Sequence, residues 1–183
     1  MGEQLEEPTY DLIARHDGFE VRRYHGSIEA RTRTDGVDLR SRSHGFRRVA
    51  TYIFGGNTRR QRIAMTAPVH LWQDEEGGHL AFTMPAQHAL DRLPDPLDDG
   101  IRIQSLDEHL VAVLPFSGWS RPPKVARLEA ELMALVIDAG YAVTGPARLA
   151  LYDNPNTTLP FQRRNEIHLP IGEPQASNTR SAI

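Results

Sequence analysis

The chain has 183 residues, 39% of them hydrophobic and 25% charged, with a formal net charge of -3. That length suits one domain with a sizeable core, the composition excludes a disordered chain, and the charge lacks the basic footprint of a nucleic-acid binder. With no cysteine, disulfides, thiolate metal sites and thiol nucleophiles are ruled out.

The N-terminus, Met1-Gly-Glu-Gln-Leu-Glu-Glu-Pro8, is acidic and carries no apolar run, so a leader or membrane anchor is not expected. No 18 consecutive apolar residues occur anywhere, and a cytoplasmic, membrane-free protein is the expectation. Short alternating segments then predict two or three strands over Tyr10 to Ala14, Phe19 to Tyr24 and Ile28 to Thr34, with a turn at Asp17-Gly18.

Phe46, Val49, Ala50, Ile53 and Phe54 follow at i, i+3, i+4, i+7 and i+8, which predicts a helix over about 38–54 with all of them on its buried stripe. Gly55-Gly56-Asn57 marks its end. Alternation resumes from Arg62 to Trp72 and from His79 to Met84, around a polar turn at Asp74-Glu75-Glu76-Gly77-Gly78. Pro85 to Gly100, rich in Pro and Asp, reads as a surface connection between two halves.

The order then recurs. Strands are predicted at Ile101 to Leu106 and Leu110 to Phe116, followed by a helix over about 122–139 opened by Pro122-Pro123 and ended by Gly140. Its stripe is Val125, Leu128, Leu132, Leu135, Val136 and Ala139. Strands at Ala147 to Tyr152 and Arg163 to Leu169 close the pattern, with Asn154-Pro155-Asn156 opening the loop between them. The domain is placed at residues 8–171, with 1–7 and 172–183 expected as flexible tails. Each half thus reads strand, strand, helix, strand, strand, an α+β layer arrangement or a strongly curved, barrel-like sheet.

Three segments carry a family resemblance: Tyr52-Ile53-Phe54-Gly55-Gly56-Asn57, then Arg62-Ile63-Ala64-Met65-Thr66-Ala67-Pro68-Val69, and Tyr152-Asp153-Asn154-Pro155 with Arg163-Arg164-Asn165-Glu166-Ile167. Together with the hairpin ending Gly18-Phe19-Glu20-Val21-Arg22-Arg23-Tyr24 and the turn Phe116-Ser117-Gly118, they resemble the SOUL haem-binding family over about residues 8 to 170. The resemblance implies a twisted antiparallel eight-stranded β-barrel of two pseudo-repeated halves, with two helices packed outside. It further implies non-enzymatic, non-covalent binding of haem or a related porphyrin in an apolar groove beside the first helix, for buffering, carriage or delivery.

Within that frame the residues are weighed singly. Met65 alternates with Ile63 and Val69, which favours a core role over ligation. For Arg163 to Glu166 the structural reading, one Arg paired with Glu166 and Asn165 fixing a turn, outweighs an anion clamp. On the first helix, Ser43, Arg47 and Thr51 lie opposite the stripe, with Arg48 and Tyr52 on a flank, and Arg47 or Arg48 would meet the porphyrin propionates. The family pattern is more apolar there, and Ser43 and Arg47 depart from it. The second wall of the groove is the loop with Phe116, Trp119, Pro122 and Pro123, where Trp119 is the candidate stacking residue. His44, at the entry to the first helix, is the candidate axial ligand; His25, His79 and His88 fall in hairpins or polar connections, and His70 and His168 on strands, facing away from the core.

No phosphate loop, Gly-x-Ser-x-Gly elbow or thiol nucleophile is present. Two other readings stay open: an effector-binding module for amphipathic small molecules, in which Glu166 or Glu29 supplies a buried carboxylate, and a tetrapyrrole-metabolism enzyme such as a dechelatase, in which His44 transfers a proton.

Overall fold

A computed structural model describes residues 5–36, 38–154 and 158–174. The expected tails at 1–4 and 175–183, and Pro155 and Asn156 of the late loop, lie outside the described residues. Among the described residues the chain forms nine strands and two long helices. The strands are β1 (Tyr10–His16), β2 (Phe19–Tyr24), β3 (Ser27–Thr34), β4 (Val69–Asp74), β5 (Gly77–Thr83), β6 (Ile101–Leu106), β7 (His109–Ser117), β8 (Arg148–Leu151) and β9 (Arg164–Ile171). The helices are α1 (Leu39–Ile53) and α2 (Pro122–Asp138), and single 3-10 turns occupy Leu90–Arg92 and Pro160–Gln162.

All nine strands join one antiparallel sheet in the order β1-β2-β7-β9-β8-β4-β5-β3-β6. The repeat seen in the sequence is explicit in this order. β3-β5-β4 and β7-β9-β8 are equivalent triplets meeting at β4 and β8, and each is flanked by the first strand of the other half, β6 on β3 and β2 on β7. The eight-stranded barrel is corrected on two counts: β1 adds a ninth strand, and the sheet is open, with β1 and β6 as its edges. β1 is irregular in register between Leu12 and Ala14, a departure from flatness that discourages edge-to-edge pairing.

Local chemistry sets the helix ends. The Asp38 carboxylate accepts the Arg40 and Ser41 amides at 2.8 and 3.1 Å, satisfying two of the free donors that open α1. At the far end of α2, Gly140 takes φ +85° just past the cap residue Ala139, a left-handed conformation that glycine adopts at no steric cost. α1 lies close to β3, because a Cβ built on Gly45 would stand 2.6 Å from Thr34 Cγ2.

Two sequence expectations fail locally. The strand predicted from Arg62 begins only at Val69, since Pro68 has no amide hydrogen for the ladder; the preceding segment is tied instead by Ile63 N donating to Ile53 O and by a bridge between Thr66 and Glu6. The aromatic residues of the α1 stripe are not buried: Phe46 is 38% exposed on its flank, with its ring against Phe82 at 5.4 Å, and Phe54, at the helix cap, is 53% exposed, whereas Val49, Ile53, Leu128, Leu132 and Val136 are buried as the periodicity requires.

Each strand alternates between two faces. One presents Val21, Leu71, Leu80, Phe82, Ala112, Leu149, Ile167 and Leu169 to the helices and forms the core. The other is polar yet also buried, with Arg22, Glu29, His79, Glu166 and His168 each at most 7% exposed. It is buried because the sheet curls toward it. On a flat sheet β2 and β3 would stand about 29 Å apart, at ~4.8 Å per strand, but only His25 and Gly26 join them in the chain, and Tyr24 on β2 and Glu29 on β3 line one cleft.

Candidate functional site

The loop between β7 and α2 is joined to α1 through Arg42, which is not on the Ser43-Arg47-Thr51 face expected to line a groove with it. Arg42 on the first turn of α1 donates from Nη1 to Ser120 O at 3.2 Å. Trp119 is 55% exposed, with the Arg163 and Arg121 guanidinium carbons 4.7 and 6.0 Å from its ring. Phe116 is half-buried beneath Lys124, whose Nζ lies 5.0 Å from the ring, and Pro122 is exposed on the first turn of α2. The exposed Leu159 and Phe161 of the β8–β9 loop add apolar surface. That loop adjoins Trp119 through Arg163, which also donates to Thr158 O at 3.0 Å.

On α1, Ser43, His44, Arg47 and Thr51 are exposed. The Thr51 hydroxyl donates to Arg47 O at 2.7 Å and is thus spent on its own helix. Arg48, expected as an alternative propionate partner, makes a two-pronged ion pair with Asp98, Nε to Oδ2 at 2.7 Å, which pulls the Asp98 carboxyl down to about 2. A guanidinium held so has little capacity left for a second anion. His44 lies one helical turn before Arg48, on the same side of α1. Tyr52, expected on the outer flank, is fully buried and donates to Pro94 O at 2.9 Å.

The residues here suit a tetrapyrrole in kind: an exposed indole face for the ring, cations for the propionates, and an accessible imidazole for iron.

The largest concentration of buried polar groups lies elsewhere, on the inner face of the sheet. Glu166 accepts from Arg22 Nη1 at 3.0 Å, from the Tyr152 hydroxyl at 2.7 Å and from His168 Nε2 at 2.7 Å. Burial opposes its ionisation, but the hydrogen bonds from His168 and Tyr152 and the Arg22 charge win and hold its carboxyl down at about 2. His168 Nδ1 is 3.3 Å from His70 Nε2. Desolvation pushes both imidazoles down, His70 well below the usual histidine range. Burial likewise lifts the Tyr24 hydroxyl to about 12. Glu29 accepts from Gln104 Nε2 at 2.8 Å and pairs with Arg148, which lies 4.0 Å over the Trp72 ring.

The structural reading of Arg163 to Glu166 holds, with a different arginine. The cation on Glu166 is Arg22 from β2, while Arg164 reaches Glu7 and Asn165 Nδ2 donates to Gly118 O at 3.0 Å, fixing the turn. His70 and His168 face away from the apolar core, as expected from their strand positions. His79, expected in a polar connection, instead sits buried on β5 beside Asp74 at 2.8 Å. Arg22, Arg148, Trp72 and Tyr152 were missed. Their signal was present in the polar half of each alternation, Glu20-x-Arg22-x-Tyr24 and His70-x-Trp72-x-Asp74.

The family model for the SOUL heme-binding protein matches residues 5–170. The chain belongs to the SOUL heme-binding protein family. No curated protein matches it. Among solved structures it is similar to the C-terminal domain of EcmrR, at 16% identity and TM-score 0.65, over 90% of this chain and 98% of that one. It is also similar to a hydrolase from Listeria innocua, at 11% identity and TM-score 0.57, over 87% of this chain and 94% of that one. At such identities the likeness extends to the fold alone. Among the described residues of this SOUL-family chain, no helix is long and apolar enough to cross a membrane, and no cluster of three or more His, Asp or Glu side chains is arranged to hold a metal ion.

Proposed function

We propose that this SOUL-family chain binds haem or a related tetrapyrrole non-covalently, without catalysing a reaction on it, where α1 meets the loop between β7 and α2. The observation that carries the reading is Trp119, a large aromatic side chain left 55% exposed with two guanidinium groups at its ring, next to Ser120, which accepts from Arg42 of α1. Leaving such a surface in water is costly at about 25 cal/mol per Å² of apolar area, so a flat apolar ligand has a gain to make there. A macrocycle on Trp119 keeps its edge in water, where propionates stay solvated or meet Arg47 and Arg121. Phe116 and Pro122 bound the loop side, and His44 is the proposed axial ligand.

Haemin titrations on wild type, Trp119→Ala, Arg47→Glu and His44→Ala at low and high salt test this. Trp119→Ala weakens binding equally at both, Arg47→Glu weakens it chiefly at low salt because screening removes the repulsion, and His44→Ala shifts the Soret band. Unaltered binding in all three variants places the ligand elsewhere.

A further inference from the structure

The inner face of the sheet encloses a cleft of about 380 Å³, within the range of about 300–1,000 Å³ typical of small-molecule sites. Its walls include His70, His168, Tyr24 and Val111 with the rings of Pro68 and Pro170, and Glu29 and Arg148 lie at one side. Asp107, Glu108 and His109 stand at the rim on the exposed β6–β7 turn. It lies on the sheet face opposite the one that packs on the helices.

The hydrogen bonds of this face fix what the cleft offers. Glu166 is ionised and only accepts, so His168 Nε2 must donate to it. A neutral His168 then presents Nδ1 as an acceptor, and His70 Nε2, 3.3 Å away, must be the donor. That leaves the lone pair on His70 Nδ1, for which no protein partner exists among the described residues. The charged groups inside are already matched: Glu29 by Gln104 and Arg148, and Glu166 by Arg22, Tyr152 and His168. Deep in the cleft an entering cation would find no spare carboxylate, those of Asp107 and Glu108 lying at the exposed rim, and an entering anion no spare guanidinium. The unspent polar groups include this neutral acceptor, backed by a hydrogen-bonded chain from His70 through His168 to Glu166, and the proton of the Tyr24 hydroxyl, whose oxygen already accepts from Arg22, with apolar walls around them.

We propose that this cleft is a second binding site, independent of the tetrapyrrole surface, for a small neutral molecule with an apolar ring and one O–H or N–H donor that hydrogen-bonds to His70 Nδ1. The chain of imidazoles raises the acceptor strength of His70, because each hydrogen bond in a series polarises the next. A carboxylate-centred site, with Glu166 or Glu29 meeting a cation, does not fit this arrangement.

The test uses phenol and indole as donor-bearing probes, toluene as the ring without a donor and benzylamine as the cationic ring. Binding is followed through the imidazole signals of His70 and His168 by NMR on the wild-type protein. Phenol and indole are expected to saturate these signals with at least tenfold higher affinity than toluene or benzylamine, and without displacement by haemin. His70→Leu is expected to abolish the preference for phenol over toluene. Equal affinity for phenol and toluene in wild type, tighter binding of benzylamine, or perturbation confined to Trp119 would each overturn the proposal. The wild-type comparison stands even if the variant folds poorly.

Discussion

His168 Nε2 stands 2.7 Å from Glu166 Oε2, two residues earlier on the same strand. Residues i and i+2 share a face of a strand, so one stretch of β9 supplies both partners while Ile167 between them enters the core. Arg22 completes the arrangement from β2, across β7.

Glu166→Gln is therefore expected to destabilise the protein by about 1–3 kcal/mol, because it removes the buried carboxylate shared by Arg22, Tyr152 and His168, while Arg22 keeps Glu20 as its other partner at 2.9 Å. Urea denaturation of the purified variant gives the number. Stability equal to wild type combined with lost ligand binding would assign Glu166 to a ligand instead of the fold.

Acid lability follows from the same groups. The folded-state pKa values of His70 and His168 are lowered, so their contribution is complete above the unfolded value of about 6.5 and declines as pH falls, when the unfolded chain takes up protons that the folded one refuses. The Glu166 carboxyl, held at about 2, adds a contribution that is present above the unfolded value of 4.5 and lost toward pH 2. Denaturant midpoints are expected to drop from pH 7 to 5 and again below 4.5. His70→Gln should flatten the first drop, and an unchanged slope in that variant would contradict the assignment.

The contact of α1 with the sheet sets a third expectation. Ile53→Ala empties a fully buried position and should cost about 2–5 kcal/mol, while Gly45→Ala drives a methyl group against Thr34 Cγ2 and should cost about 1–3 kcal/mol by overpacking. Thermal melts read both. A neutral Gly45→Ala would mean that α1 can lift from β3 without loss.

The two arginines of α1 should separate by function. Arg48→Gln breaks the pair with Asp98 and is expected to lower the melting temperature while leaving haemin affinity within about twofold, whereas Arg47→Glu does the reverse. Exchanged behaviour would move the propionate site to the Asp98 side of the helix.

Much of this was legible in the residues. The helix stripes, the Gly140 cap and the repeated element order follow from periodicities that burial enforces locally, and the RRNE segment was rightly read as structural. That the sheet stays open was not legible, since it depends on pairing between strands far apart in sequence, such as β2 with β7 and β3 with β6. Phe46 misled because it lies at the margin of the stripe, where period alone cannot separate contact with Phe82 from burial. The inner cleft was hidden for another reason. Its polar residues alternate with core residues as solvent-facing ones do, and only the curl of the sheet brings Tyr24 on β2 and Glu29 on β3 to the walls of one cleft.

The central claim, a tetrapyrrole surface built on Trp119, is tested most directly by a visible-region titration of the protein with haemin, run alongside Trp119→Ala at matched fold stability. Saturation at one haemin per chain in wild type, with affinity reduced at least tenfold in the variant, is the result expected. Equal saturation in both proteins, or absorbance that rises without a stoichiometric break, would contradict it.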